Sequence, residues 1–361
     1  MASAVEAEAS LAVEVPVAAA EAEALAAGKK IYDYLMQNML KYEKQEGNMR
    51  ARQIIDEVNK VVVGKENEVS KIMMALLSRG HILLEDMPGV GKTTLANAFA
   101  KALGLEWRRI QFTPDVLPSD IVGFNAIDQN SGNFVLHKGA VFCNLFLADE
   151  INRTSSRTQS ALLEVMEENQ ITVDGVTFQA YDPFNVIATQ NPFGSAGTQL
   201  LPESQLDRFM ICLSLGYPSA ESEVEILRRK QHPENYQISQ VVTADELREM
   251  QKEVDQIFVH DEIMKYAVQL VYMTRSHSQL SMGASPRGSI CLIQMGKANA
   301  YLHDRNYVIP KDIQEVLFDV LGHRILLASA RQSKENDLKR QILQEVLNSV
   351  QQPSLSENNA G

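Results

Sequence analysis

Lys92 and Thr93 stand near the end of the segment Ile82-Leu83-Leu84-Glu85-Asp86-Met87-Pro88-Gly89-Val90-Gly91-Lys92-Thr93-Thr94, where an apolar run passes through a glycine-rich turn into helical periodicity. Residues of these types at this spacing hold phosphate. Small residues let the chain close tightly, so that backbone N–H groups around Gly89 to Lys92 point inward at a triphosphate. Lys92 adds positive charge at the β and γ phosphates, and Thr93 offers its hydroxyl to Mg²⁺. The pattern G-x-x-x-x-G-K-[ST] is broken once, because Asp86 stands in place of its first glycine.

Four further constellations extend this chemistry. Asn144-Leu145-Phe146-Leu147-Ala148-Asp149-Glu150 is an apolar strand ending in two carboxylates, at a chain distance from the loop that suits a neighbouring parallel strand. Asp149 would hold the Mg²⁺ shell and Glu150 would orient and polarise the attacking water, since phosphoryl transfer is mostly positioning and charge stabilisation. Val186 to Thr189 is a strand ending in Gln190-Asn191-Pro192; Asn191 can hold the water, although Asn-Pro also simply begins turns. Arg208, in Leu206-Asp207-Arg208-Phe209, can be lent to a neighbour's γ-phosphate, the plain alternative being a surface ion pair with Asp207. Arg287 follows Ser285 and Pro286, an N-cap and N1 pair. The positive end of the helix dipole disfavours a cation there, so Arg287 suggests an anion elsewhere, bound phosphates being an obvious one and the plain alternative an ordinary exposed arginine.

Apolar strands at Ile82–Leu84, Arg109–Phe112, Leu145–Ala148, Val186–Thr189 and Ile211–Leu213 alternate with helical patterns from Ala51 onward, which implies a parallel sheet with helices on both faces. Phe134 to His137 and Ile171 to Phe178 read as inserted β-hairpins, the second turning at Asp174-Gly175. After Tyr217-Pro218 the strands stop. Helical periodicity covers 219–231, 244–257, 261–275, 286–303, 310–321 and 335–350. The expected organisation is a disordered acidic, Ala-rich tail (1–28), a leader helix (29–50), an ATPase core (51–217), a helical domain (218–350) and a frayed tail (351–361). The 361 residues carry a net charge of −12, which disfavours DNA or RNA as the main partner. No apolar run reaches a membrane span and no signal peptide opens the chain, so a soluble cytoplasmic protein is expected. Cys143, Cys212 and Cys291 are odd in number and set among apolar residues, as reduced core positions are.

The joint pattern is more specific than a generic NTPase. Val61-Val62-Val63-Gly64-Lys65, the phosphate loop, Phe112-Thr113-Pro114-Asp115 through Pro118-Ser119-Asp120-Ile121-Val122-Gly123, Leu147 to Arg153, Thr158 to Glu164, Ala188 to Pro192, Leu201 to Phe209 and Gly283 to Arg287 resemble the signature blocks of the MoxR family of AAA+ ATPases. The resemblance covers residues 51 to 330. It implies an α/β AAA+ parallel-sheet P-loop core followed by a small all-helical lid, with insertions within 124–141 and 170–185, and tolerance of Asp86. It also implies ring assembly, usually hexameric, with ATP and Mg²⁺ bound between subunits. By resemblance Val63 and Gly64 lie near the adenine, Pro88 to Thr94 hold phosphate, and Thr93 and Asp149 hold Mg²⁺. Glu150 then serves water, Asn191 is the first sensor, Arg208 the finger and Arg287 the second sensor. Members act as chaperone-like factors, often with von Willebrand factor A domain proteins, in maturing client complexes or inserting metal cofactors. A nucleotide-dependent scaffold and a metal-chelatase-like ATPase subunit are the alternatives.

Overall fold

The computed structural model describes residues 47–87, 89–130, 132–191, 201–329 and 335–353. The tail 1–28, most of the 29–50 leader, Pro88 and most of the 351–361 tail lie outside the described residues. After α1 (helical over 47–59) and α2 (Glu66–Leu77), five parallel strands form the central sheet in the order β2-β5-β8-β1-β9. These are β1 (Ile82–Glu85), β2 (Trp107–Gln111), β5 (Leu145–Asp149), β8 (Asn185–Gln190) and β9 (Ile211–Leu213). The carboxylate strand β5 is therefore not the neighbour of β1 that its spacing suggested. β8 pairs with both, Ile187 standing opposite Ile82 and Leu147. At about 4.8 Å per strand this separates the loop strand from the carboxylate strand by roughly 10 Å, with a polar strand end between them.

Because successive residues of a strand face opposite ways, each strand feeds two cores. Ile82, Leu84, Leu145, Leu147 and Ile187 join the cluster that contains α2, α3 (Lys92–Ala102) and the C-terminal helices. Leu83, Phe146, Ala148, Val186 and Ala188 join the other, with α4 (Pro118–Val122) and α5 (Ser156–Glu168). Burial on both sides explains why these strands read as continuous apolar runs. Cys143, Cys212 and Cys291 are all free thiols, the first and last of them buried, and burial pushes the Cys143 thiol up to about 12.

The first insertion is the antiparallel pair β3 (Gly123–Ile127) and β4 (Phe134–Lys138). The second is β6 (Gln170–Val173) and β7 (Val176–Gln179), turning through Asp174 (φ 48°) and Gly175 (φ 83°), the left-handed pair a two-residue hairpin needs. The Asp174 carboxylate accepts from the Asn125 backbone N–H (3.0 Å) and Nδ2 (3.1 Å), tying the two hairpins together. α6 (Glu203–Leu206) leads into β9. Beyond it follow α7 (Ala220–Gln231), α8 (Ala244–Asp255), α9 (Asp261–Arg275), α10 (Pro286–Leu302), α11 (Pro310–Leu321) and α12 (Glu335–Ser349). Strands do not stop after Pro218: β10 (Leu280–Met282) pairs antiparallel with β11 (Leu326–Leu327). Two or three residues are too few to display a period of two, so this pair left no signal in the sequence. Among the described residues, no helix is long and apolar enough to cross a membrane.

Candidate nucleotide site

Gly89 (φ 88°) and Gly91 (φ 95°) both take left-handed backbone, which an L side chain resists, and no atom lies within 4 Å of where a Cβ would stand on either. These glycines serve the turn and leave open space above it. The first turn of α3 holds Lys92, Thr93 and Thr94 and no carboxylate. Its first intrahelical bond runs from the Leu95 N–H to the Gly91 carbonyl (2.9 Å), so the preceding N–H groups lack helical acceptors and form an anion-binding end. Lys92 is buried, and its Nζ donates to the Asp86 carbonyl (3.2 Å).

Asp86 itself is a buried hub. Its carboxylate accepts from Ser214 Oγ (2.8 Å), the Leu215 N–H (2.6 Å) and the Gly216 N–H (2.9 Å). The residue that breaks the loop pattern thus fastens the end of β1 to the chain leaving β9. Nothing in the sequence marks this role, because its partners lie about 130 positions away and two of the three are backbone groups.

A cavity of about 380 Å³ opens beside the loop, walled by Val61 to Val63, by Gly89 to Gly91 with Thr94, and by Ile226, Arg229 and Tyr236 from the stretch after Pro218. Val63 lines this cavity. Gly64 packs closely: a Cβ there would stand 2.3 Å from Ser222 Oγ of α7. Arg229 lies over the Tyr236 ring (4.9 Å to its centroid) and donates to the Asn59 carbonyl (2.9 Å) and the Lys60 carbonyl. It pins the stretch that carries Val63. The sequence reading saw only helical periodicity over 219–231 here and gave Arg229 no role.

At the same strand ends, Asp149 accepts from Thr189 Oγ1 (2.7 Å) and from Arg109 Nη2 (2.8 Å). Glu150 takes left-handed backbone (φ 57°); its N–H donates to Thr189 Oγ1 (2.8 Å) and its carboxylate accepts from Arg153 Nη1 (2.7 Å). Thr189 therefore holds both acidic residues, a role the sequence reading gave to nobody. Asn191 follows β8 at the same edge, its carbonyl accepting from Asn152 Nδ2 (3.4 Å). Loop, carboxylates and Asn191 thus converge at the C-terminal ends of three adjacent strands, where ligands of open α/β sheets bind.

The two arginines are elsewhere. Arg208 precedes β9, and the neighbouring Met210 N–H donates to the His81 carbonyl (2.8 Å) at the N-terminal end of β1. At about 3.3 Å per residue, β1 separates that edge from the Lys92 loop by roughly 13 Å. Arg208 does not pair with Asp207; that carboxylate accepts from Arg324 Nε (2.9 Å) and from Ser285 Oγ (2.8 Å). Ser285 caps α10 as expected, accepting from the Arg287 N–H (3.1 Å). Arg287, expected to face bound phosphates, instead donates through Nη2 to Glu167 Oε1 (2.6 Å), and Arg208 Nη2 meets Glu167 Oε2 (2.9 Å). The hydrogen bond from Arg287, with the charges of both arginines, holds the Glu167 carboxyl below the usual carboxylate range.

A parallel sheet with a phosphate loop, paired carboxylates one strand away and a polar strand end between them defines a P-loop NTPase core. Residues 81–211 match the ATPase family associated with various cellular activities (AAA), and residues 272–346 match the AAA lid domain. The chain is 44% identical over 302 residues to the uncharacterized protein YeaC of Bacillus subtilis, covering 83% of this chain and 93% of that one. It is 42% identical over 282 residues to the chaperone MoxR1 of Mycobacterium tuberculosis, covering 76% of this chain and 74% of the relative. A crystal structure of a Cytophaga hutchinsonii protein superposes with a TM-score of 0.81 at 39% identity, over 88% of this chain and 99% of that one. The chain belongs to the MoxR family of AAA+ ATPases.

Proposed function

We propose that the chain hydrolyses Mg-ATP in a ring of identical copies and uses the cycle to remodel a partner protein complex. The observation that carries this reading is the split of the machinery. Lys92, Thr93, Asp149, Glu150 and Asn191 sit at one edge of the sheet, while Arg208 and Arg287 sit at the other. A second copy can bring its arginines to the first copy's phosphates, and repetition of such a head-to-tail contact closes a ring when its rotation divides a full turn evenly.

In this scheme the base lies in the cavity beside Val63, and the phosphates lie on the N–H groups of the loop and on Lys92. Thr93 and Asp149 are hard oxygen donors and few, which fits Mg²⁺, an ion that keeps waters and phosphate oxygens as its remaining ligands. When bound, the ion neutralises phosphate charge. Glu150 and Asn191 orient the attacking water, and the neighbour's arginines stabilise the charge of the transition state. The exposed Phe124, Ile127, Phe134 and Val135 of the first hairpin offer apolar contacts to a client. The chaperone name of the MoxR1 relative agrees with a remodelling role; a cytoplasmic location belongs to the same proposal. A hexameric count, a von Willebrand factor A domain partner and metal-cofactor maturation follow the family resemblance.

The test mixes two inactive variants. Arg208→Ala keeps its own site but lends no finger; Glu150→Gln lends a finger but cannot hydrolyse. In a ring assembled at random from equal amounts, about one interface in four joins an intact site to an intact finger, so hydrolysis returns to about a quarter of the parent rate. A mixture no more active than its parts refutes the shared site.

A further inference from the structure

Glu167 is placed against the preference of its own helix. It lies in the last turn of α5, where the dipole is negative and no basic residue stands. Arg287 lies in the first turn of α10, where the dipole is positive and no acidic residue stands. Each charge is at the wrong end of its helix, and the two meet at 2.6 Å, with Arg208 on the second carboxylate oxygen at 2.9 Å. One carboxylate thus occupies the position between two guanidinium groups that the interface reading assigns to a terminal phosphate.

We propose that Glu167 is an internal substitute for the neighbour's terminal phosphate, an autoinhibitory contact that holds Arg208 and Arg287 in the separate protomer and releases them to the ATP of a second copy. This rests on the reading that both arginines act across an interface. The backbone around the three side chains is anchored. The buried His81 ring bonds the Met166 carbonyl (3.0 Å) beside Glu167. Arg324 donates to the carbonyls of Asp207 (3.1 Å) and Phe209 (2.6 Å) on either side of Arg208, and Ser285 holds the start of α10. Only side chains need to move. The three side chains are 30–39% exposed, whereas Arg324, which binds the neighbouring Asp207, is 1% exposed. The first arrangement can exchange partners; the second is fixed. A terminal phosphate presents more charge and more acceptor oxygens to two guanidinium forks than one carboxylate does, so the exchange favours the assembled ring.

The test is Glu167→Gln in the full chain, which keeps shape and removes charge. Steady-state hydrolysis is followed against protein concentration, and sedimentation is followed with ATPγS. Half-maximal activity and assembly should both move to about three- to tenfold lower protein concentration, as expected for losing partly exposed ion pairs from the unassembled state. The maximal rate per site should be unchanged. An unchanged or raised midpoint in a variant of parental melting temperature overturns the proposal and makes Glu167 a support for the arginines. Arg208→Ala separates the two ideas. Full hydrolysis in that variant overturns the interface reading and the contact with it, whereas lost hydrolysis there with an unmoved midpoint in Glu167→Gln overturns the contact alone.

Discussion

Restoring the missing glycine of the phosphate loop, Asp86→Gly, should damage the protein. Judged by the motif alone the substitution repairs a defect, and moves toward a consensus usually preserve or raise stability. The structure predicts the reverse. Asp86 is buried and accepts three hydrogen bonds at 2.6–2.9 Å, two of them from the backbone N–H groups of Leu215 and Gly216. Glycine leaves those N–H groups without their acceptor at about 1–3 kcal/mol each, reduced for Gly216 because it is partly exposed. Added backbone freedom costs about 0.5–1 kcal/mol more, for a total of about 3–5 kcal/mol. Asp86→Asn retains one acceptor oxygen and should lose about 1–2 kcal/mol. Urea unfolding of the full chain, followed by circular dichroism, measures both variants, and scanning calorimetry should show a melting temperature lower by about 5–8 °C for the glycine variant. A glycine variant within about 0.5 kcal/mol of the parent refutes the account of Asp86 as the fastening between β1 and the chain after β9.

Two further outcomes follow from buried groups. Thr189→Val, nearly isosteric, removes the hydroxyl shared by Asp149 and Glu150; hydrolysis should fall about 10- to 100-fold while fluorescent-nucleotide affinity changes little, and an unchanged turnover refutes its role. His81 is fully buried, and loss of hydration pulls its imidazole down from 6.5 to about 4. The unfolded chain takes up this proton near pH 6.5 and the folded chain does not until about pH 4, so the contribution is complete above 6.5 and is lost as pH falls between those values. The slope approaches about 1.4 kcal/mol per pH unit. Burial lowers His323 in the same direction, so His81→Gln should reduce the pH dependence of unfolding without abolishing it. An identical slope in His81→Gln excludes His81 as a source.

What the sequence made readable was what local spacing encodes. The strands that feed both cores appear as apolar runs because both of their faces are covered, and the turn at Asp174-Gly175 appears because left-handed backbone selects those residues. The loop and the paired carboxylates were readable because their chemistry requires fixed residue types side by side. Thr189, Asp86 and Arg229 were not, because each acts on groups 39 to 170 positions away, several of them backbone. The order of strands was misjudged for a related reason: chain distance between β1 and β5 carries no information about β8, which arrives later and inserts between them.

The placement of Arg287 shows how register decides function where motif cannot. Its position in the first turn of α10 suggests an anion, and Glu167 supplies one at 2.6 Å, while α10 is set by Ser285 on Asp207 and by Arg324 on the same carboxylate. Asp207 adjoins Arg208, so the start of α10 and the backbone of Arg208 are fastened through one side chain. A displacement of α10 that carried Arg287 away from a neighbour's phosphates would withdraw Arg208 as well. On the interface reading proposed above, the two arginines would act as one element, contributed by one copy to the site of the next. Breaking the Asp207 tie should uncouple their effects on hydrolysis, whereas altering either arginine alone should not.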